Sequence, residues 1–79
     1  MSINAQYQED KDLISELCPN ELDRFEQWFA QLNIENIKRG NLYGGSSLEE
    51  STGVKCWFDF FTDGCTPAEA IDEDSSYAS

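Results

Sequence analysis

The sequence predicts an all-α fold, a small single-domain bundle of about four short helices over residues 1–79 with frayed ends at about 1–8 and 75–79. Three observations carry this. Apolar residues recur at spacings of three and four. Between these stripes fall residues that start and stop helices: Pro19, Gly40, Gly64 and Thr66-Pro67. The 39% hydrophobic and 13% aromatic content is too rich for a disordered acidic tail. A chain of 79 residues makes one small domain, so any ligand site is shallow and the core has little stability to spare.

The first helix is expected from about Glu9 to Leu17, with Leu13, Ile14 and Leu17 on one face and Glu9, Asp12 and Glu16 toward the other. Pro19 suits the first turn of a second helix, along which Leu22, Phe25, Trp28, Phe29 and Leu32 form an apolar stripe. Asn33 either ends it or begins another turn, because Ile34 and Ile37 continue the apolar pattern toward Gly40. Residues 40–47 read as a loop. Ser47 and Glu50 have the spacing of a capping box and start a third helix, weakened at Gly53, with Val54, Trp57, Phe58 and Phe61 as its stripe and Gly64 as its end. Thr66-Pro67-Ala68-Glu69 combines an N-cap hydroxyl, a proline at the first helical position and a glutamate at the third. That fourth helix is expected to run to about Asp74.

The second and third helices should bury their aromatic stripes against each other, with Trp28 and Trp57 in one core. Each large aromatic buries about 150–250 Å², enough at ~25 cal/mol per Å² to offset much of the chain entropy. A bundle unable to cover both stripes is expected to form a homodimer.

Sixteen acidic residues against five basic ones and no histidine give a net charge of −11. Direct nucleic-acid binding through a basic surface and attraction to an acidic membrane leaflet are therefore not expected. The N-terminal residues lack the basic and apolar runs of a targeting segment, and the densest apolar stretch, Val54 to Phe61, is interrupted by Lys55 and Asp59. Cys18, Cys56 and Cys65 are odd in number and without CxxC spacing, which suits free thiols in a cytoplasm.

Catalysis is not expected. Nucleophilic Cys or Ser lacks a histidine base, and no motif groups Lys11, Lys38 or Lys55 with a nucleophile. Three irregularly spaced thiols do not make a zinc site. A calcium loop starting at Asp59 would place Phe61 at the third ligand position and Ala70 where the bidentate glutamate belongs. Gly44-Gly45-Ser46-Ser47 lacks the Lys of a phosphate loop and is followed by Glu49 and Glu50. No cofactor and no metal is expected.

What remains is the charge. A globule of this length is about 30 Å across, which gives roughly one net negative charge per 3 Å, against ~1.7 Å along duplex DNA. Acidic residues of this kind commonly serve as solvated, solubilising surface; jointly they can also stand in for phosphates. The small acidic chain, with its segment Trp57-Phe58-Asp59-Phe60-Phe61-Thr62-Asp63-Gly64-Cys65-Thr66-Pro67-Ala68-Glu69-Ala70, resembles phage-encoded inhibitors of the anti-CRISPR and DNA-mimic type. The resemblance implies a stoichiometric inhibitor, acting in the host cytoplasm, that occupies the basic nucleic-acid groove of a protein or ribonucleoprotein complex.

No family motif fixes the contacts, so the candidate partner-binding residues follow from charge: Asp12, Glu16, Asp23, Glu26, Asp59, Asp63, Asp72 and Asp74, with Phe60 as an exposed aromatic anchor. Asp59 with Asp63 is the first choice among them. The alternative reading is a helical adaptor or regulatory subunit that binds a partner helix through its aromatic stripe, its charge being incidental.

Overall fold

A computed structural model describes residues 3–78. Five helical segments follow one another: α1 (Gln8–Glu16), α2 (Pro19–Lys38), α3 (Leu48–Ser51), α4 (Lys55–Thr62) and α5 (Pro67–Ala78). All described regular structure is helical, as the periodicity requires, and the principal extents are 34 × 24 × 21 Å.

Phe25, Phe29 and Leu32 of α2 lie one above another at spacings of four and three and are buried with Leu48, Val54, Trp57, Ala70 and Ile71. Phe25 meets Phe58 and Phe61 of α4 at ring-centroid distances of 5.1 Å each, and Trp28 meets Phe61 at 5.7 Å. The two aromatic stripes therefore pack on each other as expected, and Trp28 packs against the core that contains Trp57. The most extensive partner of α2 is nevertheless α5, whose buried Ala70 has little side chain to hold the helices apart.

Helix ends follow the local sequence where the signal is a glycine or a complete cap. At Gly64 the amides of Gly64 and Cys65 bond to the carbonyls of Phe61 and Phe60, both at 3.1 Å, and the same paired closure ends α2 at Gly40. Asn33 thus continues α2 rather than ending it. At Thr66 the capping box forms in full: Glu69 N–H donates to Thr66 Oγ1 at 3.2 Å, and Thr66 N–H donates to Glu69 Oε1 at 3.0 Å.

Three expectations are corrected. The single helix expected from Ser47 to Gly64 is divided into α3 and α4, because Gly53 adopts φ 83°, a left-handed conformation that interrupts the helix. The Ser47–Glu50 capping box does not form. Leu48 N–H instead donates to Asn33 Oδ1 at 3.0 Å, so a side chain from α2 supplies the cap. Finally, α5 passes Asp74 and continues to Ala78.

The segment before α1 is tied down over residues 3–7. Ile3 N–H donates to Glu26 Oε2 at 3.3 Å, Asn4 N–H to Glu49 Oε2 at 3.2 Å, and Tyr7 Oη to the Glu50 carbonyl at 2.7 Å. On α1 itself Leu13 and Ile14 are half-buried, and the buried residue is Asp10.

Candidate functional site

Of the sixteen acidic side chains, ten are exposed, four half-buried and two buried. The two buried ones hold the fold together. Asp10, 2% exposed, accepts the backbone N–H of Val54 at 2.8 Å through Oδ2 and that of Lys55 at 2.9 Å through Oδ1. It caps the start of α4 from a helix 44 residues earlier, where free amides and the positive end of the helix dipole favour a carboxylate. Glu49, 7% exposed, accepts Asn4 N–H at 3.2 Å and Asn33 Nδ2 at 3.0 Å. Buried Asn36 accepts Leu42 N–H at 3.0 Å and donates to Asn41 Oδ1 at 2.9 Å, fixing the turn after α2.

The carboxylates singled out by charge have different surroundings. Asp12 and Glu16 are exposed on α1, and Asp12 accepts Gln8 Nε2 at 2.9 Å. Asp23 is exposed and accepts Gln27 Nε2 at 3.0 Å. Glu26 is half-buried, holding Ile3. Asp59 and Asp63 are exposed, the latter at the C-cap of α4.

Asp72 accepts Arg39 Nη1, and Glu35 accepts Arg39 Nε at 2.9 Å. These two bonds, Asp72 first, hold the guanidinium above its ordinary pKa. Asp74 is half-buried and accepts the Tyr43 hydroxyl at 2.6 Å. Burial first, then this bond, pushes the phenol well above its usual pKa, so Tyr43 remains a donor across the physiological range.

Phe60 is not the exposed anchor expected. It is half-buried, packs against the core and lies 5.7 Å from the Trp57 ring, because the α4 stripe is wide enough to draw it inward.

An open groove of about 670 Å³ lies between α1 and α4, with Tyr7, Glu9, Lys55, Cys56 and Asp59 among its lining. A smaller hollow of about 230 Å³ adjoins it and shares Glu9 and Lys55, adding Asp12, Leu13 and Glu16. The fold therefore brings Asp59 together with Asp12 and Glu16 through these adjoining hollows, while Asp23, Glu26, Asp63, Asp72 and Asp74 do not line them. Glu9 and Tyr7 belong to this surface and were not among the candidates. Their sequence signal was slight: one acidic residue at a helix start, one aromatic before it.

The groove offers weak nucleophilic chemistry. Burial and then the Asp74 charge raise the Cys56 pKa; Cys65 is raised by burial and then by Glu73 and Glu69. Both are neutral thiols at pH 7. Replacing Cys18, Cys56 and Cys65 together by Ser should leave the helical circular dichroism spectrum and partner binding intact. Cys18 is the N-cap of α2 and makes no side-chain cap bond, so Cys18→Ser alone, three residues ahead of Glu21, should stabilise by about 1 kcal/mol in urea titration. A folded triple variant that no longer binds would give the thiols a function.

No protein-family model, curated protein or solved structure matches the chain. Among the described residues no helix is long and apolar enough to cross a membrane.

Proposed function

We propose that this chain is an acidic inhibitor of a nucleic-acid-binding protein or ribonucleoprotein complex, acting in the cytoplasm as anti-CRISPR and DNA-mimic inhibitors do, by covering a basic groove with carboxylates. One observation carries the reading. Ten carboxylates stand exposed on a particle 34 Å long, while the ion pairs among the described residues all involve the single cation Arg39. With a net charge of −11, the long axis carries about one charge per 3 Å, within a factor of about two of duplex DNA. The role is stoichiometric and non-catalytic, and the chain itself binds neither nucleic acid nor membrane.

The adaptor reading has less support. Phe25, Phe29 and Trp57 are buried and Trp28, Phe58, Phe60 and Phe61 are half-buried against them, so the core takes up most of the aromatic stripe that a partner helix would use. The same packing covers most of the apolar surface that would favour a homodimer.

A partner captured from host lysate should release its DNA or RNA when this chain binds. Its affinity for the chain should fall about tenfold or more as salt rises from low to several-fold physiological strength, because exposed charges are screened beyond ~8 Å at physiological ionic strength. Simultaneous tight binding of nucleic acid and this chain at separate sites would eliminate mimicry.

A further inference from the structure

We propose that the groove between α1 and α4 receives an arginine side chain from a basic segment of the partner; this depends on the charge-mimicry reading and narrows it to one face and one chemistry.

The groove contains a half-exposed aromatic ring beside carboxylates, which is the pairing a guanidinium uses. Tyr7 is 50% exposed, and its hydroxyl is pinned to the Glu50 carbonyl at 2.7 Å. Its ring edge would lie 3.5 Å from a Cβ placed on Gly53. The ring is therefore anchored at its hydroxyl and lies against the α3–α4 junction, in a residue half of whose surface is open to a planar cation. Glu9 and Asp59, both exposed, line the same groove from opposite helices.

Along α1 the exposed acids Glu9, Asp12 and Glu16 are spaced three and four apart, so they form a row about 10 Å long that leads into the groove. Leu13 and Cys56 supply carbon surface for the aliphatic stem of the incoming side chain. The separation of the two rims is set in advance, since Asp10 binds α1 to the first amides of α4 at 2.8 and 2.9 Å.

Lys55 lies in both hollows and makes no ion pair among the described residues, so one positive charge faces Glu9, Asp10, Asp12, Glu16 and Asp59 and offsets their field only in part. Elsewhere, Glu26, Glu35, Asp72 and Asp74 are already committed to Ile3, Arg39 and Tyr43.

The test uses isotope-labelled full chain at low salt with two probes, deca-arginine and deca-lysine. Deca-arginine should bind about two- to fivefold more tightly than deca-lysine, the range expected of an exposed cation–π contact. Amide shifts should concentrate on residues 7–16 and 53–59. Tyr7→Leu should remove the preference, and Tyr7→Phe, which keeps the ring, should retain it. Glu9→Gln with Asp59→Asn should weaken both peptides, and Lys55→Gln should tighten both about two- to fivefold.

Equal affinity for the two peptides, or shifts centred on α2 or α5, would overturn the groove assignment while leaving charge mimicry standing. Failure of both peptides to bind at low salt would overturn mimicry and the groove together.

Discussion

Trp57→Ala is expected to cost about 3–5 kcal/mol, most of the stability of a domain this small. Trp57 is 1% exposed, and its ring lies 5.6 Å from that of Tyr43 and 5.7 Å from that of Phe60. Its indole N–H donates to Thr52 Oγ1 at 2.8 Å, so truncation empties the centre of the core and also removes a hydrogen bond that ties α4 to the α3–α4 junction. Urea or thermal unfolding followed by circular dichroism measures the loss. Trp28→Ala should cost less, because Trp28 is only half-buried at the edge of the same core, although its indole N–H donates to the Cys65 carbonyl at 2.8 Å. A Trp57→Ala protein with near-native stability would mean that Trp57 is a surface anchor and that the packing described above is wrong.

The second large effect is expected at a charged residue. Asp10→Ala should destabilise by about 2–3 kcal/mol, combining a lost cap with two amides left without their acceptor. Asp10→Asn separates this bidentate role from simple size. Asp10 accepts one N–H on each oxygen, and an amide would turn its own NH₂ toward one of the two donors. The Asn variant should therefore lose nearly as much as the Ala variant, and the amides of Val54 and Lys55 should exchange faster in both. Full rescue by Asn would show that one acceptor suffices. Gly53 belongs to the same device: a Cβ there would lie 3.1 Å from Asp10 Oδ2, in a backbone conformation already unfavourable to side chains.

The exposed acids should behave differently from Asp10. Neutralising Glu9 or Asp59 should leave stability nearly unchanged, since neither makes an ion pair among the described residues and both are solvated. A charge-reversal series should therefore keep Asp10 and Glu49, and also Glu26, Glu35, Glu69, Asp72 and Asp74, whose carboxylates hold Ile3, Arg39, the Thr66 cap and Tyr43.

Where most helices begin and end, and which faces they turn inward, follows from local sequence. Pro19, Gly40, Gly64 and the Thr66–Glu69 box act on amides and carbonyls within about five residues, and the spacing of Phe25, Phe29 and Leu32 gives a face without reference to what covers it. Asn33 and Gly53 are weak points in the helical pattern, but their roles depend on distant groups: Asn33 caps α3 from within α2, and Gly53 admits the Asp10 carboxylate.

The fate of the carboxylates depends on tertiary packing. Asp10, Glu49 and Asp59 look alike as acidic residues in a polar context, yet one caps a helix, one is buried against Asn33 and one lines a groove. A carboxylate's role depends on the donors that face it, and those donors lie up to 45 residues away along the chain. For the same reason Phe60 turned inward, and Tyr7, Glu9, Asp12, Glu16 and Asp59 became neighbours on one surface. Local periodicity sets the direction a side chain leaves its own helix, while the packing of that helix against others sets what it meets.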